Sequence, residues 1–126
     1  MTLRHGPVST PVFMPVGTKG AMKGLLPTTL DAEIDCEIML ANTYHLFLKP
    51  GEDMLKKHDG LHNYAAWNRN FLTDSGGFQI VSLDALNSIN EQGVCFRSHI
   101  DNNDRFLLSP ERSMEIQNAI GADIIM

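Results

Sequence analysis

The sequence is poor in several features that would settle its class at once. Its two cysteines, Cys36 and Cys95, lie far apart and form no CxxC pair, which excludes a compact disulfide framework and favours reduced thiols in an interior. No apolar run approaches the ~20 residues that cross a bilayer. Met1 to Pro7 holds no hydrophobic segment of a secretory leader, so a cytoplasmic chain is the default expectation. Basic residues do not predominate: 10 Lys and Arg stand against 15 Asp and Glu, a net charge of −5 that argues against wholesale wrapping of nucleic acid. No repeat, low-complexity tract or linker rich in Pro, Gly or Ser divides the chain. With 43% hydrophobic and 20% charged residues the 126-residue chain has a globular composition, and intrinsic disorder is excluded.

What is present is a rhythm of strands and helices. Pro11 to Val16 reads as a short apolar strand and Gly17 to Gly20 as the loop that leaves it. Pro27, Thr28 and Thr29 mark a helix start, with Asp31 placed to complement its first turn and the pattern fading near Asp35. Ile38 to Ala41 is an uninterrupted apolar strand, the pattern of one buried on both faces. A helix from about Glu52 to His58 is closed by Gly60, and Phe71 to Thr73 makes the next strand. Alternation of this kind predicts βαβ units and a parallel sheet.

Val94 to Leu108 breaks the rhythm and reads as an inserted β-hairpin, with its turn at Asp101 to Asp104. Ser109, Pro110 and Glu111 then form a strong helix start, Ile116 and Ile120 share one helix face, and Gly121 ends the helix. Asp123 to Met126 opens a fourth strand at which the sequence stops, leaving an uncovered edge. Four βα units are half of an eight-stranded barrel, which needs ~250 residues. The expected fold class is therefore α/β, with residues 1–126 a partial TIM-barrel domain cut after its fourth strand and carrying an inserted hairpin.

In such folds the chemistry gathers where strands hand over to loops. Asp74, Ser75, Gly76, Gly77, Phe78 and Gln79 stand at one handover: a carboxylate, two glycines that let a ligand approach the backbone, an aromatic ring and an amide. The set suits a flat heterocycle, with Asp74 accepting its N–H groups or its proton and Phe78 stacking on its face. An Asx-turn in which Asp74 caps the next segment is also compatible. Asn42, Thr43, Tyr44 and His45 at the other handover could line the same pocket.

Other features carry less. His45 reads as a hydrogen-bonded structural histidine, and His5, His58, His62 and His99 are scattered, so no metal site is expected within this chain. Asp101 to Asp104 lacks the Gly and Glu of an EF-hand, having Phe106 and Arg112 in their places. Lys19, Lys23, Lys49, Lys56 and Lys57 alternate with acids as on a solvated surface. Met14, Met22 and Met54 read as core filler.

Four of these segments, Thr10 to Thr18, Asn42 to His45 with Pro50 and Gly51, Leu72 to Gln79, and Leu108 to Glu111, resemble in order and spacing the amino-terminal half of tRNA-guanine transglycosylases. The resemblance covers essentially the whole chain. It implies a TIM-barrel pentosyltransferase that removes guanine from the wobble position of tRNAs with a GUN anticodon and inserts a 7-deazaguanine base such as queuine. Phe78, where bacterial members usually carry Tyr, together with Ala21 to Gly24, resembles the eukaryotic type. By this resemblance Asp74 is the proton acceptor, Asp74, Ser75, Gly76, Gly77 and Phe78 contact the base, and Asn42 belongs to the pocket.

Exchange at an anomeric carbon with retention needs two displacements, one by a carboxylate nucleophile, while a second group manages the proton of the base. The base must also leave the anticodon stack. The resemblance implies that the nucleophilic Asp, further base-binding residues and a Cys3His site for Zn2+ lie in a carboxyl-terminal half absent from this sequence, so the chain is expected to be inactive by itself. It further implies tRNA as partner through its anticodon loop, a heterodimer with a non-catalytic paralogous subunit, and a cytoplasmic location, peripheral at the mitochondrial outer membrane. Two alternatives stay open: a non-catalytic fragment or accessory-type partner subunit, against which the intact Asp74 to Phe78 run argues, and an unrelated half-barrel enzyme acting on a small heterocycle.

Overall fold

The computed structural model describes residues 1–79, 88–97 and 105–126. The chain opens with a small antiparallel hairpin, β1 (Thr2–Leu3) and β2 (Gly6–Pro7). Helix α1 (Pro27–Ala32) leads to β3 (Ile38–Ala41), which hands over at once to α2 (Thr43–Leu48), α3 (Glu52–Lys57) and α4 (Leu61–Ala65). Strand β4 (Asn70–Thr73) follows, then β5 (Ser88–Asn90), β6 (Gly93–Arg97) and β7 (Arg105–Leu108). Helix α5 (Pro110–Ile120) and β8 (Ile124–Ile125) complete the order.

The expected parallel sheet is present, with strand order β3-β4-β8. Ile38 pairs with Asn70 and Ala41 with Thr73, so the carboxyl ends of β3 and β4 are level; Thr73 in turn pairs with Ile125. Met39, Ala41, Phe71 and Thr73 are buried, whereas Leu40 and Leu72 on the other face are only half-buried. Ile38, on the same face as Leu40, is buried too, so the strand is covered on both faces except at the half-buried Leu40. Leu30, Leu46, Leu55, Leu61, Trp67, Ile116 and Ile120 from the helices and loops fill the covered side around Met39 and Phe71. Ile116 and Ile120 lie one helical turn apart, which turns both toward this core.

Pro11 to Val16 does not become a full strand. Residues 15–18 run beside β3, with Leu40 N–H donating to Pro15 O (2.9 Å) and Gly17 N–H to Leu40 O (2.8 Å), but the pairing is a single bridge at Val16. Pro11 and Pro15 have no N–H to give a ladder, and Phe13 is left 85% exposed. Asp31 lies in the last turn of α1, where it accepts from Arg69 (2.6 Å) and has no part in the first turn. Gly60 does receive α3, its N–H donating to Leu55 O (2.9 Å), and it also forms the N-cap position of α4.

The inserted hairpin is larger than expected: β5, β6 and β7 form a three-stranded antiparallel sheet. The predicted turn at 101–104 lies outside the described residues, as does His99. Alternation along β6 and β7 turns Phe96, Phe106 and Leu108 inward to pack on Tyr44 and Phe47 of α2, with the Tyr44 and Phe96 rings 5.4 Å apart. This second sheet therefore sits on the helix that leaves β3. Met22 packs against the main core as expected, whereas Met54 is 41% exposed. Cys36 is buried and Cys95 half-buried, both as free thiols, and burial pushes the Cys36 thiol up, the state of an unreactive structural cysteine.

Candidate active site

Level strand ends bring the two handovers together. Asn42 and Asp74 each follow the last residue of a strand, and the paired Ala41 and Thr73 place them side by side. Asn42 Nδ2 donates to Asp74 Oδ2 (2.5 Å), Thr43 N–H donates to Asp74 Oδ1 (3.0 Å), and the Thr43 hydroxyl donates to Asp74 O (2.5 Å). Asn42 also caps α2, its Oδ1 accepting from His45 N–H (3.0 Å). One buried amide therefore starts a helix and fixes a carboxylate.

The Asx-turn is present as well: Gly76 N–H donates to Asp74 Oδ1 (3.0 Å). It does not exhaust the group. A carboxylate offers about four acceptor positions, and the described residues occupy two on Oδ1 and one on Oδ2. Among the described residues nothing fills the remaining position on Oδ2 of this half-buried side chain, which could accept an N–H group or a proton of a ligand.

Gly76 is required by close approach and by its backbone. Its φ is +76°, and a Cβ there would lie 2.9 Å from Tyr44 N and 3.0 Å from Tyr44 Cβ. Gly77 is under no such pressure, the nearest atom to its Cβ being Ser75 Oγ at 3.5 Å. Phe78 is 76% exposed, so its ring face is free for stacking, and Gln79 Oε1 is a buried acceptor without a partner among the described residues. Tyr44 is instead a buried packing residue of the second core, and His45 is half-buried with its ring edge-on to Tyr44 at 5.4 Å. Lys19 and Lys23 are exposed, as a solvated surface requires.

At the opposite end of the sheet the fold assembles a cluster that spacing along the chain gave no sign of. His5 and His62 stack with ring centroids 3.6 Å apart, around Asp123 just before β8. His5 Nδ1 lies 2.7 Å from Asp123 Oδ1 and His62 Nε2 lies 3.1 Å from Oδ2, while Phe71 N–H donates to Oδ2 (2.9 Å). Burial, and then the neighbouring His5, lowers the basicity of His62. Burial alone would raise the Asp123 carboxyl; the hydrogen bonds of His5 and the Phe71 amide and the two nearby imidazoles outweigh it and hold the group below its usual value. The ligand atoms of the three residues lie within 4.8 Å of one another, close enough to hold a metal ion, and both imidazoles are engaged by the Asp123 carboxylate. The cluster is a structural tie between the first hairpin and the sheet. With two cysteines in the whole chain, a Cys3His zinc set cannot be drawn from these residues.

The fold and site define a βα protein that presents a positioned carboxylate and an exposed aromatic ring at the carboxyl ends of parallel strands. A family model described as queuine tRNA-ribosyltransferase matches residues 1–126, and the chain belongs to that family. It is 55% identical over 126 residues to the queuine tRNA-ribosyltransferases of Acinetobacter baumannii and Acinetobacter baylyi. The alignments cover 100% of this chain and 33% and 32% of those proteins, so the chain spans about a third of the length of these curated relatives. Both relatives are bacterial, and neither supports the eukaryotic-type resemblance drawn from Phe78.

Proposed function

We propose that this chain supplies the base-binding and proton-accepting part of a tRNA-guanine transglycosylase, which exchanges guanine at the wobble position of tRNA for a 7-deazaguanine base. The observation that carries the reading is Asp74, fixed by Asn42, Thr43 and Gly76 with one acceptor position left open by the described residues. In this reading the position on Oδ2 left open by the described residues meets the polar edge of the base. The departing guanine keeps the C–N electron pair and is protonated, and Asp74 then takes the ring N–H proton of the incoming base as that nitrogen attacks the anomeric carbon and displaces the carboxylate nucleophile. Phe78 stacks on the face of the flipped ring, replacing the stacking lost when the base leaves the anticodon loop.

Retention at the anomeric carbon calls for a second carboxylate as nucleophile, which the reading places outside residues 1–126, together with any zinc ligands and the surface for a paralogous partner. The three-stranded parallel sheet is then one arc of a TIM barrel. The half-buried Leu40 and Leu72, on the face turned from the helices, fit its interior.

The test is Asp74→Asn in the full-length protein that carries these residues, assayed by incorporation of labelled guanine into tRNA. The amide keeps the shape of the turn but takes no proton, so exchange falls by about 100-fold or more while tRNA binding persists. Near-normal exchange by the variant would overturn the assignment. A wild-type protein that binds tRNA without exchanging guanine would favour the accessory-subunit reading.

A further inference from the structure

Asp74 is held from two helices, and the proposed function uses only one of them. Its carboxylate is fixed from α2, through Asn42 and Thr43. Its two chain neighbours are fixed from α5. The Thr73 hydroxyl donates to Gln117 Oε1 (3.1 Å), and the Ser113 hydroxyl donates to Ser75 O (3.3 Å). Gln117 is 1% exposed, and its Nε2 donates to Met126 O (3.0 Å) and to Ser113 Oγ (3.4 Å).

A single buried amide thus joins the end of β4, the chain just past β8 and the hydroxyl that holds Ser75. Packing alone does not call for it. Leu has nearly the same volume and would seat α5 on the sheet beside Ile116 and Ile120 with no polar group to satisfy. The bonds of Gln117 and Ser113 instead converge on the residues immediately before and after Asp74.

We propose that Gln117 and Ser113 are positioning residues for Asp74, acting through Thr73 and Ser75 to fix where its open carboxylate oxygen stands. The inference rests on the reading of Asp74 as the group that meets the base. It gives α5 a role in the reaction although neither of its two side chains touches the carboxylate. A shift of the turn would leave tRNA docking intact and misplace the proton acceptor, so the loss falls on kcat rather than KM.

Ser113 is half-buried, which allows small changes without opening a core cavity. In the full-length protein, Ser113→Ala lowers kcat for guanine exchange by about tenfold to a hundredfold, with KM for tRNA and the thermal midpoint unchanged. Ser113→Thr, which retains the hydroxyl, restores kcat. Hydrogen exchange supplies a readout independent of activity: the Thr43 and Gly76 amides both donate to Asp74 Oδ1, and Ser113→Ala accelerates their exchange. Gln117→Leu gives the same pattern if it folds, and the Ser113 pair decides the matter if it does not. Wild-type kcat together with unchanged exchange at Thr43 and Gly76 would overturn the proposal. So would a loss of kcat that tracks a fall in thermal midpoint, or one that Ser113→Thr does not restore. If the wild-type protein exchanges no guanine, the transglycosylase reading fails, and the amide comparison still decides whether α5 positions Asp74.

Discussion

Asn42 and Asp74 stand at the level carboxyl ends of neighbouring parallel strands, and the Asn42 amide divides its two ends between them. Its NH2 group donates to the Asp74 carboxylate over 2.5 Å and its oxygen caps α2. Secondary structure and site geometry therefore depend on one side chain, and substitutions can separate the two roles. Asn42→Ala removes both, at a cost of about 2–4 kcal/mol from the lost cap and the lost bond to a charged group. Asn42→Ser keeps a capping oxygen and loses only the Asp74 contact. Chemical denaturation reads the stability of each variant and guanine exchange reads its site: Ser recovers the capping share of the stability, about 0.5–2 kcal/mol, and little of the activity.

The two glycines of the turn differ in tolerance. Gly76→Ala sets a Cβ against the Tyr44 backbone at a positive φ, so the turn moves away from α2 and activity falls along with stability, by about 1–3 kcal/mol. Gly77→Ala meets only ordinary contact and changes stability by less than about 0.5 kcal/mol. Equal thermal midpoints for the two variants would contradict the packing of Gly76 on Tyr44.

Phe78 is too exposed to matter for folding. Phe78→Ala leaves the thermal midpoint where it is and weakens binding of the base by about 1–3 kcal/mol, the worth of one stacking contact. Titration calorimetry with guanine on the full-length protein measures this, and unchanged affinity would remove Phe78 from the pocket.

Acid acts at the other end of the sheet. His62 is held below its ordinary value of 6.5, so the folded state prefers the neutral imidazole; its contribution to stability is complete above that value and is lost as pH falls through the lowered one. Asp123, also lowered, contributes above its ordinary 3.8 and loses that contribution as pH falls through its own lowered value. Both groups make acid destabilising, His62 first. Thermal midpoints between about pH 7.5 and about pH 5 decline in the wild type and decline less in His62→Gln. Parallel declines would show that His62 does not carry the effect.

Local signals foretold the elements that are locally determined. Ser109 and Pro110 begin α5 where their capping chemistry places it, and the apolar runs at Ile38 and Phe71 are strands in parallel register. The run after Pro11 misled because apolar content says nothing of missing N–H donors. Helix α2 was hidden by length: six residues are too few for a period to emerge, although Asn42 followed by Thr43 was a readable cap signal. Strand β5 is equally short. For the site, residue types picked out Asp74 and Asn42. Their shared hydrogen bond depends on strand register, and the meeting of His5, His62 and Asp123 depends on contacts more than fifty residues apart in the chain. No window along a sequence sees either.

The tie at Asp123 and the turn at Asp74 occupy opposite ends of the same short strands. Phe71, which meets Asp123, and Asp74 are three residues apart, about 10 Å along the strand, at the outer limit of the range over which substitutions usually couple. Substitutions at the two ends should therefore come close to adding in their effects on stability. Changes at Asp123 are thus insulated from the turn, whereas changes at Asn42 or Gly76 touch fold and site together.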